Sequence, residues 1–400
     1  MAQRLIFHVD VNSAFLSWES ARRVGNGEDD LRGIPSAIGG DRDKRTGVIL
    51  AKSIPAKQFG IQTGEPVSMA LRKCPSLVLA KPDFRLYREC SRAFMDVCRD
   101  YAPVVEKFSI DECFLDMTGT SRLYPDPVAT AHEIKDTIRD RYGFTVNVGV
   151  GTNKLLAKMA SDFEKPDRVH TLFSSEIPHK LWPLPVGDLF TVGKSTAEKL
   201  NRVRIHTIGE LAHTELGILR GIVGDKWGRQ LLKLANGIDN TPVSDVPEEA
   251  KGYSISTTLE EDVVTHEQAR GILLALADSV SARMRREDAK AGRISVSIRD
   301  NSFHTRSHQR SLMVPTDITG EIFAVSMELF SQLWDGETPL RLLGIALTDL
   351  DRGGYMQQSL FEDGTRERKM KVDQAVDALR GRFGADVISR ASAVKSRRHE

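Results

Sequence analysis

With 400 residues the chain exceeds the size at which a single hydrophobic core usually stops growing, so two to four domains are expected. A composition 40% hydrophobic and 28% charged excludes a disordered or collagen-like chain. Four cysteines, Cys74, Cys90, Cys98 and Cys113, form no CxxC pair, which argues for reduced thiols and against an ordinary zinc motif. The net charge of +1 hides a basic stretch from Ser281 to Arg310: eight Lys or Arg stand against Glu287, Asp288 and Asp300, about +5 (8 minus 3), with His304 and His308 besides. Such a cluster is either a solvated face or a phosphate-binding surface. The N-terminus has no leader-like pattern and no window approaches about 18 uncharged apolar residues, so a cytosolic protein with no membrane partner is expected.

Arg4 to Val11 is a short apolar run that places Asp10 at the end of a buried strand. The region that follows, to about Pro75, is rich in Gly and charge. From Asp83 to Tyr101, the spacing of Tyr87, Cys90, Phe94, Val97, Cys98 and Tyr101 predicts a helix with one buried face. Val104 to Phe108 and Cys113 to Met117 read as strands around a tight turn, Pro127 to Tyr142 as a helix, and Thr145 to Val150 as a strand. Without the Gly-rich region the order is βαββαβ, a split βαβ sheet.

Residues 167 to 240 read as short helices with Gly-containing turns. Thr241 to Lys251, with two prolines and an acidic run, reads as a linker. The βαββαβ order then recurs. Tyr253 to Thr258 is strand-like, and Thr265 and Gln268 predict a capping box ahead of a helix to about Arg286. Ile294 to Arg299 and His304 to Val314 alternate as strands, Ile318 to Trp334 is helical, and Leu340 to Leu350 returns as strand.

The chemistry-bearing residues are Asp10 and the adjacent pair Asp111 and Glu112. Hard dications used in phosphoryl transfer favour carboxylate oxygens, and two such ions both activate a hydroxyl and neutralise a leaving group. Consecutive residues of a regular strand point to opposite faces, so Asp111 and Glu112 can share a site only at a turn or bulge. An Asp-Glu pair in a hairpin turn is otherwise merely solvated.

The segments His8-Val9-Asp10-Val11-Asn12-Ser13-Ala14-Phe15 and Phe108-Ser109-Ile110-Asp111-Glu112-Cys113-Phe114-Leu115-Asp116 resemble the paired motifs of Y-family DNA polymerases, nearest to their bacterial polymerase IV class. The likeness keeps its order along nearly the whole chain. It implies an α+β multidomain right-hand polymerase: a palm (1–15 and 76–166), small fingers (16–75), a thumb with a helix-hairpin-helix (167–240), a linker (241–251), a little finger (252–350) and a tail (351–400). It further implies that Asp10, Asp111, Glu112 and the Val11 carbonyl hold two Mg²⁺ ions, with Mn²⁺ as the alternative, while a primer hydroxyl attacks a dNTP on template DNA without proofreading. Phe15 falls at the family's steric gate against ribonucleotides.

The run Pro55-Ala56-Lys57-Gln58-Phe59-Gly60-Ile61 is similar to the fingers segment, in which an Arg and a Tyr usually touch the triphosphate. Here Lys57 and Ile54 occupy those positions. Lysine supplies the charge without the bidentate fork, and isoleucine supplies neither hydroxyl nor ring. Asn12 replaces a frequent Asp. By resemblance Lys165 also reaches the triphosphate. Val192-Gly193-Lys194 looks like the hairpin that offers amides to a DNA phosphate, and Arg293, Arg299 and Arg306 belong to a little finger that would lie along the DNA backbone. Gln357-Gln358-Ser359-Leu360-Phe361 resembles a sliding-clamp peptide anchored by Gln357, Leu360 and Phe361. A monomer is expected. Two other readings stay open: a nucleotide cyclase or nuclease on a similar sheet, and a DNA- and clamp-binding scaffold without chemistry.

Overall fold

The computed structural model describes residues 4–40, 47–353, 365–384 and 387–388. Two compact units divide the chain, one ending at Pro247 and the other beginning at Glu248, a break inside the expected linker. In the first unit the strands are β1 (Ile6–Val11), β2 (Ser36–Gly39), β3 (Ile49–Lys52), β4 (Val78–Ala80), β5 (Val104–Lys107), β6 (Glu112–Asp116), β7 (Val146–Gly151) and β8 (Val169–Leu172). They form a five-stranded sheet, ordered β5-β6-β1-β7-β8, and a small sheet, β3-β2-β4.

Six consecutive buried residues make β1 a central strand. It pairs antiparallel with β6 and β7, with Asp10 opposite both Glu112 and Asn147. Strand alternation sends Phe7, Val9 and Val11 toward the main core, where Tyr87, Phe94, Ile134 and Ile138 meet them. His8 and Asp10 point to the other face. Helix Phe84–Tyr101 starts at Asp83, whose carboxylate accepts from the amides of Arg85 and Leu86. Helix Pro127–Tyr142 starts at Asp126 and stops at Gly143, whose φ is 72°. These are ordinary solutions to the unpaired amides and carbonyls of helix ends.

On the second face lies helix Lys154–Ser161. It can do so because β7 carries Gly149 and Gly151: a Cβ at Gly149 would strike the Ala157 carbonyl and the Ser161 amide. The same helix supplies Leu155, Leu156 and Met159 to the core of the short-helix region, with Leu200, Leu211, Leu219 and Leu231.

Several elements differ from the sequence reading. Residues 169–172, placed among the short helices, are β8 and pair in parallel with β7. The Gly-rich early region contains a twelve-residue helix, Ala14–Gly25, and holds β2 and β3, with β4 just beyond it as their parallel neighbour.

In the second unit β9 (Gly252–Val263), β10 (Lys290–Asp300), β11 (Thr305–Thr316) and β12 (Leu340–Asp351) make an antiparallel sheet ordered β11-β10-β12-β9. Helix His266–Arg285 begins with the expected Thr265–Gln268 capping box. It and helix Thr319–Leu333 cover one face, burying Ile294, Val296, Ile298, Leu343, Ile345 and Leu347. A further helix, Thr365–Phe383, is tied to these by Arg285 to Asp377 (2.6 Å) and by Arg380 to Asp278 (2.7 Å). The candidate clamp peptide, with Gln357, Leu360 and Phe361, lies outside the described residues.

Candidate active site

The end of β1 opens on a cavity of about 480 Å³ whose lining includes Asp10, Val11, Phe15, Lys57, Asp111 and Lys165. Six residues chosen from distant parts of the sequence thus meet in one place. Asp111 closes the turn that follows β5, and Glu112 is the first residue of β6. The turn is held by the Phe108 and Ser109 amides, both donating to the Glu112 carbonyl at 3.1 Å, and by the Ser109 hydroxyl, which donates to Asp111 Oδ1 at 2.6 Å. Val11 N–H in turn donates to the Asp111 carbonyl at 3.0 Å. The expected departure from regular strand geometry is therefore present.

Asp10 is 7% exposed. Burial pushes its carboxyl up to about 7, Lys165 opposes the rise, and the Glu112 carboxylate, within hydrogen-bonding reach, adds to it. Lys165 Nζ lies 3.0 Å from Asp10 Oδ2 and 2.8 Å from Asp162 Oδ1. Despite the cost of its own burial, these two carboxylates hold its ammonium above the usual lysine range.

Glu112 is turned to Lys158, 2.8 Å away, and is not part of the cavity lining. Among the described residues no three His, Cys, Asp or Glu side chains converge on one point. Asp10 and Asp111 nonetheless offer hard oxygens on one cavity, and the raised Asp10 marks a buried negative site that its lysine compensates only in part. That chemistry fits a divalent cation, with Glu112 joining once its carboxylate turns from Lys158.

Phe15, second in helix Ala14–Gly25, stacks on Tyr87 with centroids 4.6 Å apart and planes at 23°. Its ring is therefore fixed. Asn12 Nδ2 donates to Asn147 Oδ1 at 3.0 Å, and Asn12 Oδ1 accepts from the Asp167 amide at 2.9 Å. It ties the β1 end to the segment that carries Lys165.

Sequence reasoning did not single out Lys158, His8 or Lys52. Lys158 is mostly buried and lies 5.6 Å from the ring centroids of Phe108 and Phe190. Its signal was available, because two lysines spaced i, i+4 in the apolar run of helix Lys154–Ser161 must face buried anions; Lys154 pairs with Glu106 at 2.6 Å. The Ser161 hydroxyl donates to the Lys158 carbonyl (2.7 Å), so it accepts from His8 Nδ1 (2.8 Å). Burial, then Lys158, Lys165 and Lys154, hold His8 well below the ordinary histidine range, which keeps this imidazole neutral beside Glu112.

The candidate DNA contacts fall in both units. Gly193 caps helix Lys194–Arg202, with Lys194 exposed and Val192 buried. In the second unit Arg293 and Arg299 share the solvent-facing side of the sheet with Ser295, Ser297, Gln309 and Ser311. Arg306 does not join them. It sits opposite Ile298, on the helix-covered side of the edge strand, 3.8 Å from Asp335.

Comparison with known proteins follows the same division of the chain. The impB/mucB/samB family matches residues 9–162, the DNA polymerase-iota thumb domain residues 187–239, and the impB/mucB/samB family C-terminal domain residues 250–360. The chain is 44% identical to DNA polymerase IV of Clostridium acetobutylicum, covering 97% of this chain and 98% of that one. It is 36% identical to DNA polymerase IV 1 of Bacillus subtilis, covering 98% and 94%. A solved Y-family DNA polymerase chimera of Dbh and Dpo4 has the same fold, with a TM-score of 0.76 at 22% identity over 87% of this chain and all of that one. The chain therefore belongs to the impB/mucB/samB family, the Y family of DNA polymerases that its paired motifs resemble.

Proposed function

We propose that this translesion DNA polymerase adds dNTPs to a primer 3′-hydroxyl through two Mg²⁺ ions held by Asp10, Asp111, Glu112 and the Val11 carbonyl. The observation that supports this reading is the gathering of Asp10, Val11, Asp111, Phe15, Lys57 and Lys165 on one cavity. Divalent ions at this site would supply Lewis acidity toward the hydroxyl and charge neutralisation for pyrophosphate.

The chain's own side chains do the rest. Lys57 and Lys165 bind the anionic triphosphate, and the Phe15 ring, held flat on Tyr87, occupies the space a ribose 2′-hydroxyl would need. Asn12 and Asn147 keep the β1 end in register with the Lys165 segment. Lys158 orients Glu112 from behind. Template DNA is gripped without sequence preference by amides at Gly193, by Lys194 and by Arg293 and Arg299, with Arg306 along the strand edge. Synthesis has low fidelity. Gln357, Leu360 and Phe361 engage a sliding clamp, and the enzyme acts as a cytoplasmic monomer. Among the described residues no helix is long and apolar enough to cross a membrane.

Primer extension with Mg²⁺ tests the proposal. Asp111→Ala and Glu112→Ala are each expected to slow template-dependent extension at least ~10²-fold, the scale of losing one group that stabilises transition-state charge, with primer-template affinity retained. A folded, DNA-binding wild type that extends nothing would leave the scaffold reading.

A further inference from the structure

The finger side of the cavity carries more positive charge than the family motif accounts for. In β3, Ile49 and Ala51 are buried while Leu50 and Lys52 are half-buried, so strand alternation sets Leu50 and Lys52 on one face. Both line the cavity. Ser53 then turns the chain, its hydroxyl accepting from the Ala56 amide at the start of helix Ile54–Gln58. A spacing of three puts Ile54 and Lys57 on one face of that helix, and they too line the cavity.

Lys52 Nζ is steadied by Thr63 Oγ1 at 3.3 Å. Glu65, the carboxylate whose charge acts on it, is already held by Lys73. Among the described residues neither Lys52 nor Lys57 has an ion-pair partner. Burial and the charge of Lys57 pull the Lys52 ammonium below the usual lysine range, with Glu65 opposing. A half-buried ammonium repelled by an exposed one on the same wall is favoured by an anion that binds both. Lys165 lines the same cavity from the palm, but its charge is already met by Asp10 and Asp162. A monoanion would balance only one of Lys52 and Lys57; a polyphosphate can balance both.

We infer that Lys52 is a binding residue for the incoming nucleotide's triphosphate, acting with Lys57 from the finger side. This rests on the polymerase reading of the cavity. It explains how a chain with Ile54 and Lys57 in place of Tyr and Arg retains a grip on the substrate: a second lysine on the adjoining strand supplies the charge that the missing fork and hydroxyl do not.

Steady-state incorporation by the full chain on a defined primer-template, with inorganic tripolyphosphate as competing probe, tests the inference. Lys52→Ala is expected to raise KM for dNTP roughly tenfold or more, the scale of one charged hydrogen bond, with the larger change in KM rather than kcat. Inhibition by tripolyphosphate should weaken by a similar factor. Lys52→Arg should keep most of both, and primer-template affinity should hold in each variant.

An unchanged KM overturns the inference. So does a raised KM with undiminished tripolyphosphate inhibition, which would place Lys52 against the base or sugar, and so does a loss confined to DNA affinity. If Lys52→Ala melts well below wild type, Lys52→Gln, which keeps most of the stem, carries the same comparison. Failure of the polymerase reading looks different: wild type itself would extend nothing.

Discussion

The palm and the little finger have the same order of elements, βαββαβ, yet different sheets. In the palm the first strand is central, giving β5-β6-β1-β7; in the little finger the first strand is at an edge, giving β11-β10-β12-β9. Each helical crossover skips over one strand in both, so the connection rules alone permit either arrangement. Burial separates them. All six residues of β1 are buried, whereas β9 alternates and leaves one side exposed. A strand buried on both faces, even with His8 and Asp10 on one of them, goes to the middle, while an alternating one is satisfied with one covered face. The functional consequence follows. Asp10 is carried into a walled cavity at the end of a doubly covered strand, whereas the little finger keeps a broad polar face of Ser254, Ser256, Ser295, Ser297, Arg293 and Arg299.

Glycine substitution breaks or sustains this contrast most strongly. Gly149 admits a helix backbone against the palm sheet, and its added methyl would land on the Ala157 carbonyl and Ser161 amide. Gly344 lies on the little finger's polar face, where a methyl would meet Ser297 Oγ at 2.6 Å and Ser256 Cβ at 3.0 Å, of which the first can rotate away. Gly149→Ala is expected to cost about 3 kcal/mol or more, as severe overpacking does, and Gly344→Ala clearly less. Urea denaturation of the full chain measures both. Equal losses would mean that the two sheets are covered alike.

The same physics explains what was legible beforehand. Asp10, Phe15, Lys165 and the Asp111-Glu112 turn were readable because an uninterrupted strand, a forced turn and two ordered motifs coincide there. Helix Ala14–Gly25 was not, since it buries Ser17, Glu19 and Ser20 beside Leu16 and Trp18. Local bonds make that tolerable: Ser17 Oγ donates to the Asn12 carbonyl at 2.5 Å and Glu19 accepts from Arg22 and Arg23. A polar residue on the inner face blurs the helical period. β8 was missed because three half-buried residues and one buried residue at a sheet edge carry no usable alternation. Lys52 needed the cavity itself, and the separation of Arg306 from Arg293 and Arg299 needed the β10–β11 register, which composition does not contain.

That register sharpens the comparison by a smaller effect. Arg293 and Arg299 face solvent on the polar side, bonded to Ser311 Oγ (3.2 Å) and Thr305 Oγ1 (2.8 Å), partners that a phosphate can replace. Arg293 also pairs with Asp349 at 2.8 Å. Replacing either by Ala is expected to weaken primer-template binding and to flatten the plot of log K against log salt by about 0.9 for each phosphate no longer neutralised. Arg306→Ala should flatten it less. A slope that changes most with Arg306 would move the DNA to the strand edge and away from the polar face.

The smallest expected effect sets one carboxylate in each region against the other. Asp10 in the palm is raised to about 7, chiefly by burial. Asp335, in the little-finger loop after helix Thr319–Leu333, is lowered to about 2 because the Thr338 amide and hydroxyl and the Glu337 amide all donate to it. The signs of their linkage are opposite. Asp10 binds its proton more tightly in the folded chain, so its contribution is present below the ordinary 3.8 and is lost as pH rises through about 7. Asp335 binds its proton less tightly when folded, so its contribution is present above 3.8 and is lost as pH falls through about 2. Asp335→Ala should therefore lower the melting temperature near neutrality, and the gap from wild type should close as the pH is taken from about 5 toward about 2. A gap that stays constant over that range would show that Asp335 acts through loop packing and not through its charge.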